Sequence, residues 1–406
     1  MPEAVPLKRS LNLTLVVLYG LGTTIGAGIY ALTGEVAGAA GMGAPWAFLA
    51  AALLAAFTAL SFAEMCARFP VSAGEAAYVR EGLGSPRLAA AVGLMVTAAG
   101  CVSSATIINA LVGYLGELVA VPPAVTILAA VLALGLIAAW GIGESVTLAG
   151  VVTVLEIGGL LAVIWVARDG FADLPARLPE TLPGAPGVGW AGLLAASLLA
   201  FYAFLGFEDM VNVAEEVKDV RRVLPLGIVV TLVATALLYV ALALAAVLAV
   251  PPEELDAHPA PLALVFERST GRPATALSLI AVFAIVNGAL IQMIMASRVL
   301  YGMARQGVLP AALGHVGPRT RTPLTATALV VLVIAALALW LPLGRLAETT
   351  SVIALTVFAL VNLALLRLKG RVPAPPGVWD LPRWVPAAGF AVSLAAAACG
   401  VAGWLS

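Results

Sequence analysis

Four glycines and two threonines interrupt an apolar segment near the start of the chain, in the run Gly20-Leu21-Gly22-Thr23-Thr24-Ile25-Gly26-Ala27-Gly28. Glycine destabilises a helix by about 1 kcal/mol per residue relative to alanine, which favours a helix that stops here and restarts. Stopping frees backbone N–H and C=O groups, and the N–H groups at the restarted end would face an anion because the helix dipole is positive there. The alternative is a packing face of small residues, which is common in membrane helices.

A second interruption is indicated later in the chain, in the run Phe201-Tyr202-Ala203-Phe204-Leu205-Gly206-Phe207-Glu208-Asp209. Its single glycine is followed by two adjacent acids at the edge of an apolar run. The two interruptions occupy corresponding positions if the first five apolar segments repeat as the next five, and paired interrupted helices in matching halves point to a transporter's binding site. Glu208 is a candidate gate or second proton site, with an interfacial carboxylate as the alternative.

A lone carboxyl lies in the middle of another apolar segment, at Glu156 in residues 145–167. A charged side chain at the centre of a membrane helix costs about 2.5–3.5 kcal/mol on insertion scales. A carboxyl in such a place is favoured when protonated and costly when ionised, so Glu156 is a candidate proton carrier. The alternative is a structural carboxyl that is permanently hydrogen-bonded to a neighbour, and Asn287 is a candidate partner.

The elements that position these residues follow from composition. Of 406 residues, 62% are hydrophobic and 11% are charged, and the mean hydropathy is +1.07. A soluble enzyme or a nucleic-acid binder cannot bury that much apolar surface. We predict an all-α polytopic membrane protein whose helical spans each cross about 30 Å of hydrocarbon. Eleven apolar segments are the predicted spans one to eleven: 12–34, 44–66, 88–112, 122–141, 145–167, 191–213, 225–250, 276–300, 323–343, 347–367 and 384–404.

The placement of lysine and arginine predicts the orientation of the spans. With the N-terminus inside, fifteen basic residues fall on inner segments: Lys8, Arg9, Arg68, Arg80, Arg87, Lys218, Arg221, Arg222, Arg305, Arg319, Arg321, Arg367, Lys369, Arg371 and Arg383. Only five fall on outer segments: Arg168, Arg177, Arg268, Arg272 and Arg345. The chain is therefore predicted to be a multi-pass protein of the cell membrane with a cytoplasmic N-terminus.

Few residues are suited to metal binding or catalysis. The three cysteines lie in apolar stretches and the two histidines in loops, which argues against a disulfide framework or a metal centre. No activated nucleophile is readable within the spans, which argues against an intramembrane enzyme. We expect no metal, no cofactor and no nucleic-acid partner.

Four stretches of the sequence resemble the amino acid–polyamine–organocation (APC) permease family. They cover about 90 residues and follow one another in family order and at family spacing. The first stretch, GTTIGAGIYALTG, resembles the family's broken first helix, and the second, AEMCARFPVSAGEAAYV, resembles the loop after span two. The third, FYAFLGFEDMVNVAEEVKDVRRVLPLGI, resembles span six and the loop that follows it. The fourth, ASRVLYGMARQGVLPAALGHVGPRTRTPLTA, resembles the inner end of span eight and the loop after it. The chain departs from many relatives in having eleven predicted spans instead of twelve.

The resemblance implies a five-plus-five inverted-repeat transporter fold with broken spans one and six. Residues 1–404 would form one transmembrane domain, with 12–167 as the first five-helix repeat, 191–367 as the second and 384–404 as an additional helix. The resemblance also implies secondary active transport of an amino acid by alternating access in the lipid bilayer. An amino acid exchanger and a polyamine or organic cation carrier of the same fold are the alternatives.

The substrate site implied by the resemblance lies between the two broken spans. An amino acid's carboxylate would meet N–H groups of the restarted first helix, at Thr24, Ile25, Gly26, Ala27 and Gly28. Its ammonium would meet freed carbonyls at Gly22 and Thr23 and, in span six, at Phe201, Ala203 and Phe204. Either Tyr202 or Phe204 would cover the substrate.

The resemblance also suggests the coupling ion. Some proton-coupled relatives place a lysine near the position of Glu156, where it takes the role of a sodium ion. Sodium-coupled relatives supply hydroxyl groups from span eight, whereas the corresponding stretch here, around Asn287, has none. A proton is therefore the predicted coupling ion, with Glu156, Asn287 and Glu208 as the predicted coupling residues.

Overall fold

The computed structural model describes residues 9, 11–70, 74–140, 146–305, 307–317, 320 and 322–405. Helices account for most of this length, and within the described ranges the β-structure is limited to one isolated bridge between Leu11 and Val217. Three basic residues used in the orientation argument, Lys8, Arg319 and Arg321, lie outside the described residues.

Each of the eleven predicted spans coincides with a helix. Their bounds are Leu13–Ala40, Ala44–Arg68, Pro86–Gly116, Pro123–Trp140, Val146–Val166, Trp190–Tyr202 (followed by the 3-10 helix Phe207–Glu216), Val220–Ala249, Thr275–Arg305, Leu324–Trp340, Leu343–Lys369 and Trp384–Leu405. Shorter helices connect them: Gly41–Gly43, Gly74–Leu83, Arg168–Asp173, Leu174–Thr181, Pro252–Ala257, Pro261–Thr270 and Ala311–Gly314.

Length and hydropathy agree with a polytopic membrane protein. Among the described residues, eight helices are long and apolar enough to cross a membrane by themselves, and up to nine if the bent pair Gly150–Val166 and Arg168–Thr181 is one span. Two shorter apolar helices, Leu13–Gly26 and Leu324–Trp340, correspond to the first half of span one and to span nine. Large apolar side chains such as Leu136, Trp140 and Trp340 are exposed on the outer surface, as lipid-facing residues must be. The predicted fold class is confirmed.

Span one lies at the centre of the bundle, packed against spans five, six and seven. Span two packs along span seven, span three along span eight, and span four against span nine. In four pairs, one with six, two with seven, three with eight and four with nine, helices five apart in the chain order are therefore neighbours. An internal pseudo-twofold axis would produce this pairing, and the five-plus-five repeat itself stays a prediction.

Both predicted interruptions are present, and both are narrow. In span one only Gly26 leaves the helical region, with φ −18° and ψ −145°. Span six ends at Tyr202, passes through a turn over 203–206 and continues as the 3-10 helix Phe207–Glu216. Both observed breaks thus lie within the predicted runs, 20–28 and 201–209, and each is shorter than its run.

A buried charge network joins the ends of spans two and ten. Glu64 accepts hydrogen bonds from Arg68 Nε at 2.9 Å and from Lys369 Nζ at 2.6 Å, and all three side chains are almost fully buried. Its second oxygen accepts from the Leu381 N–H at 2.9 Å, which fixes the loop between spans ten and eleven. Asp380 on this loop pairs with Lys369, and the hydrogen bond and charge of Lys369 hold the pKa of the Asp380 carboxyl below its usual range. We call these four charged residues the Glu64 network.

Candidate functional site

The two breaks meet backbone to backbone. A Cβ on Gly206 would lie 2.2 Å from the carbonyl oxygen of Thr23, and one on Gly28 would lie 2.9 Å from the Cα of Ala203. Gly206 also has φ +125°, which L side chains rarely adopt, so both its conformation and its surroundings require glycine. The Thr23 hydroxyl lies 3.0 Å from the Gly206 carbonyl and 3.1 Å from the Gly20 carbonyl, and so links the two spans.

A small polar cavity lies where the breaks meet. Spans one, three, six and eight line it with Gly22, Thr23, Thr24, Gly26, Gly28, Ser103, Ile107, Tyr202, Leu205, Asp209, Gly288, Ile291 and Gln292. Its volume is about 40 Å³, which is room for about one water molecule. An amino acid therefore cannot enter unless the surrounding spans move apart.

The predicted aromatic residues do not all reach this cavity. Tyr202 lines it, and its hydroxyl lies 2.9 Å from Ser103 Oγ. Phe204 is fully buried behind the breaks, where its ring packs edge-on against Tyr239 at 5.1 Å, and Phe201 packs against Phe358 at 6.0 Å. Of the two residues expected to cover the substrate, only Tyr202 lies at the cavity.

Two carbonyls expected to bind the substrate ammonium already have donors. The Phe201 carbonyl accepts from the Phe204 N–H at 3.0 Å. The Ala203 carbonyl accepts from the Tyr239 hydroxyl at 3.1 Å, and the same hydroxyl lies 2.9 Å from the Thr24 carbonyl. Sequence reasoning missed Tyr239, although threonines four and eight residues before it, Thr235 and Thr231, mark a polar face on span seven.

A second cavity of about 50 Å³ adjoins the first and shares four lining residues with it: Ser103, Leu205, Asp209 and Gln292. Three carboxyl groups line it, those of Glu75, Glu208 and Asp209, whereas its described lining includes neither lysine nor arginine. Glu208 Oε2 accepts a hydrogen bond from the Gly206 N–H at 2.8 Å, and so caps the restarted part of span six. Glu75 lies on the connecting helix Gly74–Leu83, where burial raises the pKa of its carboxyl to about 7 and the nearby Asp209 carboxyl adds to the rise.

Glu156, in span five, lies apart from both cavities. Its side chain is fully buried where span five packs against span one. The Tyr30 hydroxyl donates to its backbone carbonyl at 3.0 Å. Its carboxyl atom Oε2 has no hydrogen-bond partner among the residues that the structure describes. The expected bond from Asn287 to that oxygen is therefore not formed, because the part of span five near Gly159 packs against Leu277 and Ile280, two to three turns before Asn287 along span eight.

Span three has four polar residues close together in sequence: Ser103, Ser104, Thr106 and Asn109. Ser103 lines the cavity, and the other three form hydrogen bonds elsewhere. Ser104 donates to the Ala289 carbonyl, Thr106 to the Val102 carbonyl and Asn109 to the Ala338 carbonyl. Their spacing in sequence could not distinguish Ser103, because which face of span three meets the breaks depends on packing against spans six and eight.

Known proteins resemble the chain over nearly its whole length. The family profile described as amino acid permease matches residues 11–405. The branched-chain amino acid permease BcaP of Bacillus subtilis is 29% identical over 399 residues, which cover 93% of this chain and 84% of the relative. The methylthioribose transporter of the same organism is 28% identical over 90% of this chain and 82% of its own length.

A plant protein is slightly more similar by identity. The vacuolar cationic amino acid transporter 4 of Arabidopsis thaliana is 32% identical over 392 residues, which cover 89% of this chain and 64% of the relative. This chain therefore spans less than two thirds of that plant protein's length.

Proposed function

The chain belongs to the amino acid permease family, and we propose that it is a secondary active transporter that moves an amino acid together with a proton. The observation that carries this proposal is the meeting of two helix breaks at a polar cavity deep within the bundle. Interrupted backbone is tolerated at membrane depth where it lines a cavity or is buried in protein. Paired breaks of this kind in corresponding spans form substrate sites in several transporter folds.

A zwitterion suits this backbone site. The restarted half of span one presents N–H groups at Gly26, Ala27 and Gly28, which favour the carboxylate because the helix dipole is positive there. The carbonyls of Gly22 and Thr23, at the end of the first half, favour the ammonium. Tyr202 then covers the bound molecule.

Alternating access follows from the size of the cavity. At about 40 Å³ it is too small for an amino acid, so binding requires spans one and six to separate from spans three and eight. With the N-terminus cytoplasmic in the cell membrane, movement of this kind would expose the site first to one side and then to the other.

Glu156 is the proposed proton carrier. Its side chain is buried beside span one, and no described residue forms a hydrogen bond with its Oε2, so none of them holds the carboxyl in a permanent structural bond at that atom. Gain or loss of a proton there changes the charge held against span one, which biases the helix that carries the substrate site.

A second candidate function, transport of a cationic amino acid or polyamine, is favoured by the cavity with three carboxyl groups. Glu75, Glu208 and Asp209 lie beside the substrate cavity, where they could receive a positively charged side chain. The plant relative named as a cationic amino acid transporter fits this alternative.

Uptake into proteoliposomes tests both candidates. The purified protein is assayed with labelled leucine and labelled arginine, each with and without an imposed inside-alkaline pH gradient, and empty liposomes are the control. We expect accumulation of at least one amino acid to exceed its equilibrium level only with the gradient. Preference for arginine would favour the second candidate, and sodium-driven uptake that ignores the pH gradient would contradict proton coupling.

The methyl ester of the transported amino acid provides a further check. Esterification removes the negative charge that the span-one N–H groups are proposed to bind, so the ester should not compete with the free acid. An ester that competes as well as the acid would show that the carboxylate is not recognised there.

A further inference from the structure

The hydroxyl of Tyr239 lies between two backbone carbonyls, one from each break. It is 2.9 Å from the Thr24 oxygen and 3.1 Å from the Ala203 oxygen. The side chain is fully buried, and its ring packs edge-on against Phe204 and Phe48. A phenol has one proton, so Tyr239 donates fully to one carbonyl at a time or divides its proton between them.

Among the described residues, three threonine hydroxyls on spans one and seven, the helices that carry Thr24 and Tyr239, lack hydrogen-bond partners. The side-chain oxygens of Thr24, Thr231 and Thr235 are buried and have no hydrogen-bond partner within the described part of the chain. Thr231 and Thr235 precede Tyr239 by two turns and one turn on the same face of span seven, and a Cβ on Gly20 would lie 2.6 Å from Thr231 Oγ1. These three threonine hydroxyls are therefore available to form hydrogen bonds with backbone groups that lose their partners when span one moves.

We propose that Tyr239 is a positioning residue that couples the two breaks. Through one hydroxyl it fixes the Thr24 carbonyl of span one relative to the Ala203 carbonyl of span six. The hydroxyl can turn its O–H from the Thr24 carbonyl to the Ala203 carbonyl. Span one can then tilt away while the hydroxyl stays hydrogen-bonded to span six. The role in transport rests on the proposed function, whereas the coupling of the two breaks can be measured without it.

Other buried tyrosines make a different kind of contact and provide a matched control. The Tyr114 hydroxyl donates to the Tyr30 carbonyl at 3.0 Å, four residues beyond Gly26 in span one. Tyr114→Phe therefore removes a buried phenol bond of similar length that joins span three to span one and does not reach the break of span six. A general loss of stability would affect Tyr114→Phe and Tyr239→Phe alike.

Hydrogen exchange measured by mass spectrometry tests the coupling in the full chain in lipid nanodiscs. Peptides that cover 24–29 and 203–208 report the two breaks. We expect Tyr239→Phe to speed exchange at both by about threefold to tenfold, which corresponds to the loss of one hydrogen bond. Tyr114→Phe should leave exchange in the 203–208 peptide unchanged. Faster exchange at only one break, at neither, or equally in the control would overturn the proposal.

A second variant keeps the test independent of whether Tyr239→Phe folds. 4-Aminophenylalanine at position 239 has the same shape but two N–H donors, so each carbonyl can have its own proton. Exchange at both breaks should then be slower than in the wild type. Unchanged or faster exchange at either break would refute the coupling. Because no substrate is needed, the result is separate from success or failure of the uptake assay.

Discussion

Gly26 and Gly28 are two residues apart in span one, yet an added methyl group would meet different surroundings. A Cβ at Gly26 meets no atom within 4 Å, and Gly26 lines the cavity. A Cβ at Gly28 would lie 2.9 Å from the Cα of Ala203, so Gly28 permits close contact between the two broken spans. The glycine cluster thus contains both predicted features, a helix break at Gly26 and a close packing contact at Gly28.

Matched alanine substitutions separate these two roles. Gly28→Ala should lower the free energy of unfolding by about 1–3 kcal/mol, the usual cost of overpacking, because backbone atoms must shift. Gly26→Ala should abolish uptake in protein that thermal unfolding shows to be folded, because the methyl group occupies the proposed position of the substrate carboxylate. Thermal unfolding and proteoliposome uptake of both variants give the two measurements. Normal uptake by Gly26→Ala would show that the substrate binds elsewhere.

Glu156 gives the second prediction at this scale. Glu156→Gln keeps the shape of the protonated carboxyl but cannot release a proton. The variant should fold and exchange internal for external substrate, yet lose accumulation driven by a pH gradient. Counterflow and gradient-driven uptake are measured side by side, with Glu180→Gln at an exposed ion pair as the control. Gradient-driven accumulation at the wild-type level would rule out Glu156 as the proton carrier.

At the scale of elements, the spans and their breaks could be predicted from the sequence because each has a local cause. Apolar length determines a span, and glycine at membrane depth determines where it can stop. The lining of the cavity could not be predicted in full, since Ser103, Ile291 and Gln292 come from spans three and eight and reach it through helix packing. Tyr239 was missed for the same reason, because its partners lie 215 and 36 residues away in the chain.

The connecting helix Gly74–Leu83 offers a pH-dependent test of packing between elements. The pKa of Glu75 rises from the ordinary 4.5 to about 7 in the folded protein, mainly through burial. Between these values the folded protein keeps a proton that the unfolded chain has lost, so stability falls as pH rises through this window. The total change expected from Glu75 is about 3 kcal/mol.

Glu75→Gln should remove this part of the pH dependence. Thermal unfolding is followed from pH 4.5 to 7.5 for the wild type, for Glu75→Gln and for Glu81→Gln, which alters an exposed carboxyl on the same helix. The wild type and the Glu81→Gln control should lose stability in parallel as pH rises, whereas Glu75→Gln should lose less. Three parallel curves would show that Glu75 does not retain its proton in the folded state.

At the scale of the whole molecule, the Glu64 network joins parts of the chain that are about 300 residues apart. The Glu64 carboxylate accepts hydrogen bonds from the buried Arg68 and Lys369 and from a backbone N–H, and so holds span two, span ten and the following loop together. Removing one partner of a buried ion pair costs about 3–5 kcal/mol, because the remaining charge stays buried without compensation. An exposed pair contributes only about 0–1 kcal/mol.

Substitutions of three carboxyl groups that differ in solvent exposure test whether the Glu64 network stabilises the bundle. Glu64→Gln should lower the free energy of unfolding by about 3–5 kcal/mol, since Arg68 and Lys369 both lose their buried carboxylate. Asp380→Asn should cost less, because that carboxyl is 64% exposed and Lys369 keeps its hydrogen bond to Glu64, although two buried cations then share one carboxylate. Glu254→Gln, at the exposed pair with Arg268, is the control and should change stability by less than about 1 kcal/mol.

Raised salt concentration provides a second measurement. It should reduce the loss of stability caused by the exposed substitutions and leave the loss caused by Glu64→Gln nearly constant, because buried charges are weakly screened. Equal costs for Glu64→Gln and Glu254→Gln would show that the loop and the two spans are held together by apolar packing alone.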